Sequence, residues 1–299
     1  MPEALTFAVP YHRSPGHLAG ALASVRAQDE GGWSLVVCDD SEAGEGAAVV
    51  AALGDPRARV VRTRPGAGIA ANWNACLEAA RTELVTLLHE DDELLPGYAR
   101  LMRGAAARDP GATAFFCRAR VIDGAGRVRF SFPEWVKDRL APSTARAFAL
   151  EGEAGLARLA RGNFIMCPTL CYRRSALGAR RFRADLRMAL DLELTAGLLL
   201  AGQRLVGLPE IEYAYRRHGQ SATAGLTRGL ARFDEELRVY EEIAAAAASR
   251  GWPRAARIAA GKPMVRLQLT AEAARALAAG APREAWSALR LARAGRPRG

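Results

Sequence analysis

The most constraining feature of the sequence is a short apolar run that ends in carboxylates and restarts after a proline. Residues 84–88 are apolar apart from one threonine, Glu90, Asp91 and Asp92 follow, and Pro96 comes soon after. Such a run is typical of a buried parallel strand whose carboxyl end opens into a cleft. Crowded carboxylates repel one another, and a divalent cation relieves that cost; oxygen ligands suit Mg²⁺ or Mn²⁺. A solvated acidic loop before a helix at Pro96 explains the same residues without a ligand.

Strand patterns alternate with helical periodicity in the first part of the chain. Strands are predicted at 6–9, 34–38, 59–62 and 84–88. This alternation, with short connections, indicates a parallel sheet covered by helices on both faces. Because ligands bind beyond the carboxyl ends of such strands, polar residues at several strand ends should converge on one edge. The residues at these ends are Pro10, Tyr11, Asp39, Asp40, Glu90, Asp91 and Asp92.

The second part of the chain gives weaker patterns. They predict, in order, a hairpin of 114–121 and 128–132, a mobile loop over 133–162 with a short helix near Leu156, a strand at 167–173, a helix at 191–200, and strands at 205–208 and 211–215. From about residue 226 alanine and arginine dominate and strand signals end, which predicts helices broken near 251–253, 261–263 and 280–282. We therefore expect a catalytic domain over 1–224, a helical region over 225–294 and a disordered tail over 295–299.

Length and composition fit one large domain plus an appendage, since the chain has 299 residues and is 50% hydrophobic. No apolar run approaches the ~20 residues that span a bilayer. The first residues lack a basic region followed by an apolar segment, so we expect no signal peptide and a cytoplasmic protein, with the inner face of the membrane as a second location. The five cysteines are an odd number, which favours reduced thiols packed as small hydrophobes.

The chain is strongly basic, with a formal net charge of +10 and a pI near 10.0. Nucleic-acid binding is the first class that this charge suggests. The basic residues are spread along the chain, however, and all except Lys137 and Lys262 are arginines, a pattern that coding bias also produces. We therefore expect no nucleic-acid partner and assign the charge to an anionic substrate or to peripheral contact with an acidic membrane surface.

Seven segments between residues 5 and 224 resemble, in the same order, the motifs of family 2 glycosyltransferases. They are Val9 to Arg13, Ala21 to Gln28, Val36 to Ser41, Gly68 to Asn74, His89 to Pro96, Leu190 to Leu194 and Tyr215 to His218. Segment 89–96 takes the place of the family's D-x-D metal motif, and segment 190–194 that of its E-D-x-x-L motif. The resemblance implies an α/β protein of the A-type glycosyltransferase fold: a mostly parallel, Rossmann-like sheet with helices on both faces, plus a helical C-terminal region.

Three residues depart from the family pattern. His89 stands where D-x-D has its first aspartate, Trp73 stands where A-R-N has arginine, and Leu190 stands where E-D has glutamate. The contacts that the family makes through those side chains are therefore not carried over.

The resemblance also implies roles for individual residues. Asp39 accepts a hydrogen bond from the donor base, Asp91 binds the metal that bridges the two phosphates, and His218 completes the metal shell or touches the diphosphate. Asp92 orients the loop or the donor sugar. The further donor-binding residues are Pro10, Tyr11, Asp40, Asn74 and Glu90. Two alternatives stay open: Asp39 as a cap of the following helix, and His218 as polar surface.

Asp191 is the candidate general base. An inverting displacement needs one carboxylate to deprotonate the acceptor hydroxyl as it attacks the anomeric carbon. Asp191 follows an apolar segment at a predicted helix start and matches the aspartate of E-D. A helix N-cap role is the alternative, and it is compatible with catalysis.

These residues together imply a hexosyltransferase-like enzyme of cell-surface polysaccharide or glycoconjugate biosynthesis. It would move a sugar from a nucleoside-diphosphate donor, UDP- or dTDP-linked, to a glycan, lipid-linked or small-molecule acceptor, with inversion and with Mn²⁺ or Mg²⁺. A nucleotidyltransferase also places carboxylates and a metal at strand ends, but residues 11–16 are a poor version of its Gly-rich basic loop. A nucleotide-sugar-binding protein without turnover is suggested by His89 and Leu190.

Overall fold

The computed structural model describes residues 4–217 and 230–293. The chain divides into two compact units, each made of several segments. Unit 1 consists of Met1–Ala149, Ile165–Arg187 and Arg204–His218, and unit 2 of Leu150–Phe164, Met188–Gln203 and Gly219–Gly299. The segments 150–164 and 188–203 thus group with the C-terminal helices rather than with the sheet.

The domain boundaries expected from the sequence remain a prediction. Both the boundary after residue 224 and the tail 295–299 lie outside the described residues. So does His218, the second expected metal ligand.

The sheet of unit 1 begins with four parallel strands, as the alternation predicts. They are β1 (Leu5–Tyr11), β2 (Trp33–Asp39), β3 (Ala58–Arg62) and β4 (Leu84–Leu87). The helices of this part are α1 (Pro15–Arg26), α2 (Gly46–Leu53), α3 (Ile69–Ala79) and α4 (Tyr98–Arg108). β1 pairs with β2 on one side and with β4 on the other. Tyr11 pairs with Asp39 in this register, so the carboxyl ends of β1 and β2 meet at one edge.

The remaining strands extend the sheet beyond β4. They are β5 (Glu93–Leu94), β6 (Ala114–Ile122), β7 (Phe148–Leu150), β8 (Cys171–Arg173) and β9 (Leu205–Arg216). The order is β3-β2-β1-β4-β8-β6-β9-β5, with β7 beside β9. β8 is antiparallel to both neighbours, whereas β6 and β9 are parallel. The antiparallel pairing of β5 with β9 carries the end of β9 to the acidic segment after β4.

Two expected elements differ from the structure. The second half of the predicted hairpin is reduced to one bridge between Ile122 and Val128. The predicted mobile loop contains α5 (Phe132–Leu140), β7 and α6 (Gly152–Leu159). Pro133 fits the first turn of α5, because an N–H group at that position has no acceptor within the helix. Ser131 and Glu134, joined by a hydrogen bond, are spaced as in a capping box.

Two further differences follow from prolines and from sheet pairing. The predicted strand 167–173 is a 3-10 turn (Cys167–Thr169) followed by β8, because Pro168 has no N–H for a ladder. The predicted strands 205–208 and 211–215 are one strand, β9, whose pairing with β6 shifts register between Phe116 and Ala119.

Unit 2 is helical in its described residues. Besides α6 its helices are α8 (Leu190–Leu200), α9 (Ala231–Ser249), α10 (Pro253–Gly261), α11 (Pro263–Ala278) and α12 (Pro282–Arg293), while the short α7 (Arg174–Leu177) belongs to unit 1. A proline begins each of the last three, so the predicted breaks are confirmed. Buried Lys262 pairs with Glu241 at 2.6 Å. Among the described helices, none combines the length and apolarity that crossing a membrane requires.

Candidate active site

The loop after β4 gathers three side chains that are able to bind a metal. His89, Asp91 and Asp92 each offer a ligand atom, and these atoms lie within 4.8 Å of one another. The loop starts at the carboxyl end of β4, where the Leu88 N–H donates to the Ala8 carbonyl of β1 at 3.0 Å. The expected ligand Asp91 is thus in a cluster, which we call the acidic loop cluster (His89, Asp91, Asp92).

Arg216 at the end of β9 fixes the acidic loop. Its backbone N–H donates to Asp92 Oδ1 at 2.7 Å, and its guanidinium donates to the Asp91 carbonyl at 2.8 Å and to Glu93. The same guanidinium reaches the Asp123 carbonyl at 3.0 Å. Asp92 is fully buried and also accepts the Tyr213 hydroxyl at 3.0 Å. Asp92 therefore ties the acidic loop to β9, while its expected role toward the loop or the donor sugar stays a prediction.

The electrostatics of the cluster favour a bound cation. Burial, reinforced by the Asp91 charge, raises the pKa of Asp92 well above its usual value. Burial lowers the pKa of His89, against the opposing effect of Asp91, which favours the neutral imidazole, the form that binds a metal. His89 Nε2 is buried without a hydrogen-bond partner among the described residues. An imidazole with two carboxylates is a donor set that Mn²⁺ and related divalent ions accept.

Glu90 and Asp40 connect the acidic loop to the segment after β1. Glu90 accepts the backbone N–H groups of His12 at 2.7 Å and Arg13 at 3.4 Å. Burial raises the pKa of Glu90, and those two hydrogen bonds oppose the shift. His12 Nδ1 lies 2.8 Å from Asp40 Oδ1. Polar groups from β1, β2 and β4 thus converge at the predicted edge.

Asp39 is buried at the end of β2 with its carboxylate fully engaged. Oδ1 accepts the Ser41 N–H at 2.9 Å and hydroxyl at 2.6 Å and lies 2.9 Å from Arg62 Nη1, while Oδ2 accepts the Gly46 N–H at 3.0 Å. Burial acts to raise the pKa of Asp39, but the Ser41 hydrogen bonds and Arg62 outweigh it and lower the pKa. Asp39 thus accepts the first N–H of α2, although Glu45 rather than Asp39 holds the N-cap position of that helix.

Two other expected donor-binding residues line the same edge. Tyr11 is buried, and its hydroxyl donates to Glu45 at 3.3 Å. Burial, then Glu45, raises the pKa of that phenol. Pro10 pairs with Cys38 in the β1–β2 register. A Cβ at Gly46 would lie 2.8 Å from Asp39 Oδ2 and 3.1 Å from Tyr11 Cδ1, so a side chain there would force one of these groups to move.

Asn74 and Trp73 hold Phe182 beside the acidic loop cluster. Asn74 donates through Nδ2 to the Phe182 carbonyl and accepts the Phe182 N–H at Oδ1, both at 2.8 Å. Trp73 contacts the Phe182 ring edge-on at 5.0 Å between centroids and lies over His89 at 5.1 Å. Asn74 is therefore a structural tie in this state, and Trp73, in place of the family arginine, restrains the His89 ring.

Asp191 lies in unit 2, in the first turn of α8. Its Oδ2 accepts Asn163 Nδ2 at 2.7 Å. Just before α8, Glu235 accepts the N–H groups of Met188 at 2.6 Å and Ala189 at 2.7 Å. Asn163 thus orients the Asp191 carboxylate, and Ala189 rather than Asp191 holds the N-cap position of α8.

A comparison with known protein families decides the identity. Residues 6–178, more than half of the chain, match the family described as Glycosyl transferase family 2. The chain belongs to glycosyl transferase family 2. The matched range includes the acidic loop cluster and the ends of β1 and β2, so the resemblance drawn from the motifs is confirmed.

Two relatives and two solved structures are similar to this chain. MT1568 of Mycobacterium tuberculosis (strain CDC 1551 / Oshkosh), an uncharacterized protein, is 29% identical over 236 residues, which cover 76% of this chain and 70% of MT1568. The succinoglycan biosynthesis protein ExoO of Rhizobium meliloti (strain 1021) is 31% identical over 214 residues, which cover 71% of this chain and only 60% of ExoO.

The two structures show the fold. S. aureus TarS 1–349 in complex with UDP-GlcNAc has a TM-score of 0.63 at 15% identity and covers 99% of this chain and 93% of its own. The mannosyltransferase PcManGT from Pyrobaculum calidifontis, in complex with GDP-Man and Mn²⁺, has a TM-score of 0.63 at 17% identity. The match covers 98% of this chain and 86% of PcManGT. The predicted A-type glycosyltransferase fold of this family 2 chain is therefore confirmed.

Sequence reasoning missed several contacts of the candidate residues. His89 was treated only as a departure, although its place in D-x-D was itself a signal for a ligand. Arg216 was part of a recognised motif, but its partners lie far away in sequence. The contacts of Asn163 and Glu235 gave no local signal.

Proposed function

We propose that this chain transfers a sugar from a nucleoside-diphosphate sugar to a hydroxyl of a glycan or lipid-linked acceptor, with inversion and with a divalent cation. The observation that carries the proposal is the acidic loop cluster at the carboxyl end of β4 in a family 2 chain. The similarity to ExoO, named for succinoglycan biosynthesis, supports a role in polysaccharide assembly.

Among the described residues, Asp91 and His89 are the proposed metal ligands. Asp92, the third member of the cluster, holds the loop in place. His218 stays a proposed ligand from the sequence. A bound cation would neutralise the charge that develops on the leaving diphosphate. Mn²⁺ is the proposed ion, because an imidazole ligand disfavours Mg²⁺.

The proposed donor site is the edge formed by Pro10, Tyr11, Asp39 and Asp40. Asp39 remains the proposed contact for the base, and UDP or dTDP the proposed carrier. Since its carboxylate already accepts Ser41 and Gly46, a base N–H would have to replace one of these donors. Donor binding is therefore expected to move the turn between β2 and α2.

Asp191 is the proposed general base. The acceptor oxygen forms a bond to the anomeric carbon as the bond from that carbon to the diphosphate oxygen breaks, and the hydroxyl proton passes to Asp191. Asn163 keeps the carboxylate oriented for this transfer by donating to Oδ2. Attack opposite the leaving group inverts the anomeric configuration.

Calorimetry with UDP- and GDP-sugars, in Mn²⁺ and in EDTA, tests the donor site. The parent should bind either UDP-sugars or GDP-sugars, and this binding should require the cation. Asp91→Asn should lose that binding. Asp123→Asn is the matched control, because Asp123 belongs to a turn outside the cluster and should leave affinity unchanged. Metal-independent binding in the parent would refute the metal assignment.

Product analysis separates an enzyme from a binding protein. Incubation with glycan and lipid-linked acceptors should release nucleoside diphosphate, and NMR of the product should show the inverted anomer. Donor binding without release of nucleoside diphosphate, even to water, would favour the non-catalytic alternative that His89 and Leu190 suggest.

A further inference from the structure

Unit 1 displays a group of exposed apolar side chains at and before α5. We call it the aromatic patch: Val128, Phe130, Phe132 and Trp135, whose exposed fractions are 66%, 71%, 63% and 42%. Phe132 and Trp135 stack at 5.7 Å between centroids, with 23° between their planes. Large apolar side chains grouped on the surface in this way mark an interaction site more often than isolated ones do.

Polar contacts, not apolar burial, hold α5 on unit 1. No residue of α5 is buried. Asp138 pairs with Arg118 of β6 at 2.8 Å, and Arg217 contacts Ser131 at 2.9 Å and Glu134 at 3.4 Å. An amphipathic helix usually turns its apolar side chains toward the core. Here the aromatic side chains remain outside, so folding does not explain their presence.

The charge around the aromatic patch is positive. The acidic residues of α5, Glu134 and Asp138, are neutralised by Arg217 and Arg118. Arg129 and Arg139 form no salt bridge within residues 4–217 and 230–293, and the Arg139 guanidinium lies 5.0 Å from the Trp135 ring centroid. The patch therefore combines exposed aromatic rings with two arginines, Arg129 in its own segment and Arg139 beside Trp135, which no salt bridge among the described residues neutralises.

We infer that the aromatic patch docks this protein onto the surface of a bilayer containing anionic phospholipids. Tryptophan and phenylalanine rings favour the headgroup region, and arginines attract anionic headgroups. A glycan partner fits less well, because two of the three exposed rings are phenylalanines and the polar groups beside them are cations rather than the mixed donors and acceptors that hydroxyls need. The net charge of +10 adds to the attraction.

The patch is connected to the candidate active site through consecutive residues. Arg217 holds the start of α5, and its neighbour Arg216 holds the acidic loop. Docking through the patch would bring the end of β9 close to the bilayer, which suits an acceptor carried on a lipid. Bilayer binding itself does not depend on the proposed sugar transfer, so each is able to fail without the other.

Vesicle co-sedimentation of the full chain tests the inference. Phosphatidylcholine vesicles containing phosphatidylglycerol should bind the parent, and vesicles of phosphatidylcholine alone should bind it at least tenfold more weakly. Arg129→Gln and Arg139→Gln should each weaken anionic binding about fivefold, the effect of removing one cation near such a surface. The combined variant Phe130→Ser, Phe132→Ser and Trp135→Ser should abolish binding while its melting curve stays unchanged, because these side chains are exposed.

Trp286→Ser is the matched control, since Trp286 of α12 is 61% exposed and lies in unit 2. This variant should bind vesicles as the parent does. Equal binding to both vesicle types, a patch variant that still binds, or loss of binding in Trp286→Ser would overturn the inference. Quenching of Trp135 fluorescence by soluble oligosaccharides but not by vesicles would overturn it too, and would identify the patch as a glycan site.

Discussion

At the scale of single residues, His89 distinguishes this site from the family pattern. It supplies an imidazole where D-x-D has a carboxylate, and Trp73 lies over its ring. Replacing it as His89→Asp restores an all-oxygen cluster, so we expect the ratio of Mn²⁺ to Mg²⁺ affinity to fall by about tenfold, or ~1.4 kcal/mol. Titration calorimetry with each ion measures the ratio. His12→Asn, which changes a histidine outside the cluster, should leave the ratio as it is; an unchanged ratio in His89→Asp would remove His89 from the ligand set.

Asp191 is the residue on which the proposed chemistry depends most. Asp191→Asn should lose about 10²–10⁴-fold in turnover, the usual contribution of a general base. The asparagine carbonyl is still able to accept Asn163 Nδ2, and Glu235 still holds the segment before α8, so the melting temperature should hardly change. Donor affinity should hold as well. The control is Glu193→Gln, which changes the carboxylate two residues further along α8. If Glu193→Gln loses turnover while Asp191→Asn keeps it, Glu193 is the base.

At the scale of elements, β9 acts on the site through Arg216. Arg216→Met leaves the Asp91 and Asp123 carbonyls and Glu93 without their donor, so the free energy of unfolding should fall by about 3 kcal/mol. Because the acidic loop loses its anchor, Mn²⁺ affinity should fall too. Denaturant unfolding and calorimetry measure the two effects. Arg127→Met removes an exposed arginine paired with Asp123 and should hardly change stability, because exposed ion pairs contribute little. A similar loss in both variants would contradict the anchoring role.

The elements also show what the sequence was able to predict. Strands β1 to β4 follow from local apolar runs, and the acidic residues that end β4 identify the site edge. β5 escaped prediction because it has two residues and exists only through pairing with β9. The helix α5 was overlooked, although Ser131, Pro133 and Glu134 carry a helix-start signal.

The parts of the site that escaped prediction are set by tertiary contacts. The Asn74–Phe182 pair joins positions 108 residues apart, and no local pattern encodes it. The engagement of Asp39 by Arg62 depends on the β2–β3 register. The sequence predicts which residue types lie at the strand ends, but it does not predict which groups donate hydrogen bonds to each carboxylate.

At the scale of the whole molecule, stability should depend on the cation and on pH together. The folded-state pKa values of Asp92 and Glu90 are raised, so the metal-free fold holds protons that the unfolded chain releases. Its stability should therefore decline as pH rises from the ordinary carboxyl pKa, about 4, toward the raised values. A cation competes with those protons, so the rise in melting temperature on adding Mn²⁺ should grow over the same pH range.

Melting curves in Mn²⁺ and in EDTA across that pH range measure this coupling. A cation at about 100 times its dissociation constant adds ~2.7 kcal/mol. In Asp91→Asn most of the rise in melting temperature on adding Mn²⁺ should be lost at every pH. An increment in the parent that is constant or falls with rising pH would contradict the proposed exchange of protons for metal.

The distance along the chain between the acidic loop and its anchor has a consequence for biosynthesis. Arg216 comes 123 positions after Glu93, with which it pairs. During translation the loop therefore leaves the ribosome long before β9, and the nascent chain carries its carboxylates without the residue that fixes them. Capture of metal and nucleotide by a formed site has to wait until β9 has been synthesised and has paired with β6. Ribosome-bound intermediates that end before β9 are thus expected to be inactive, however well their first strands have folded.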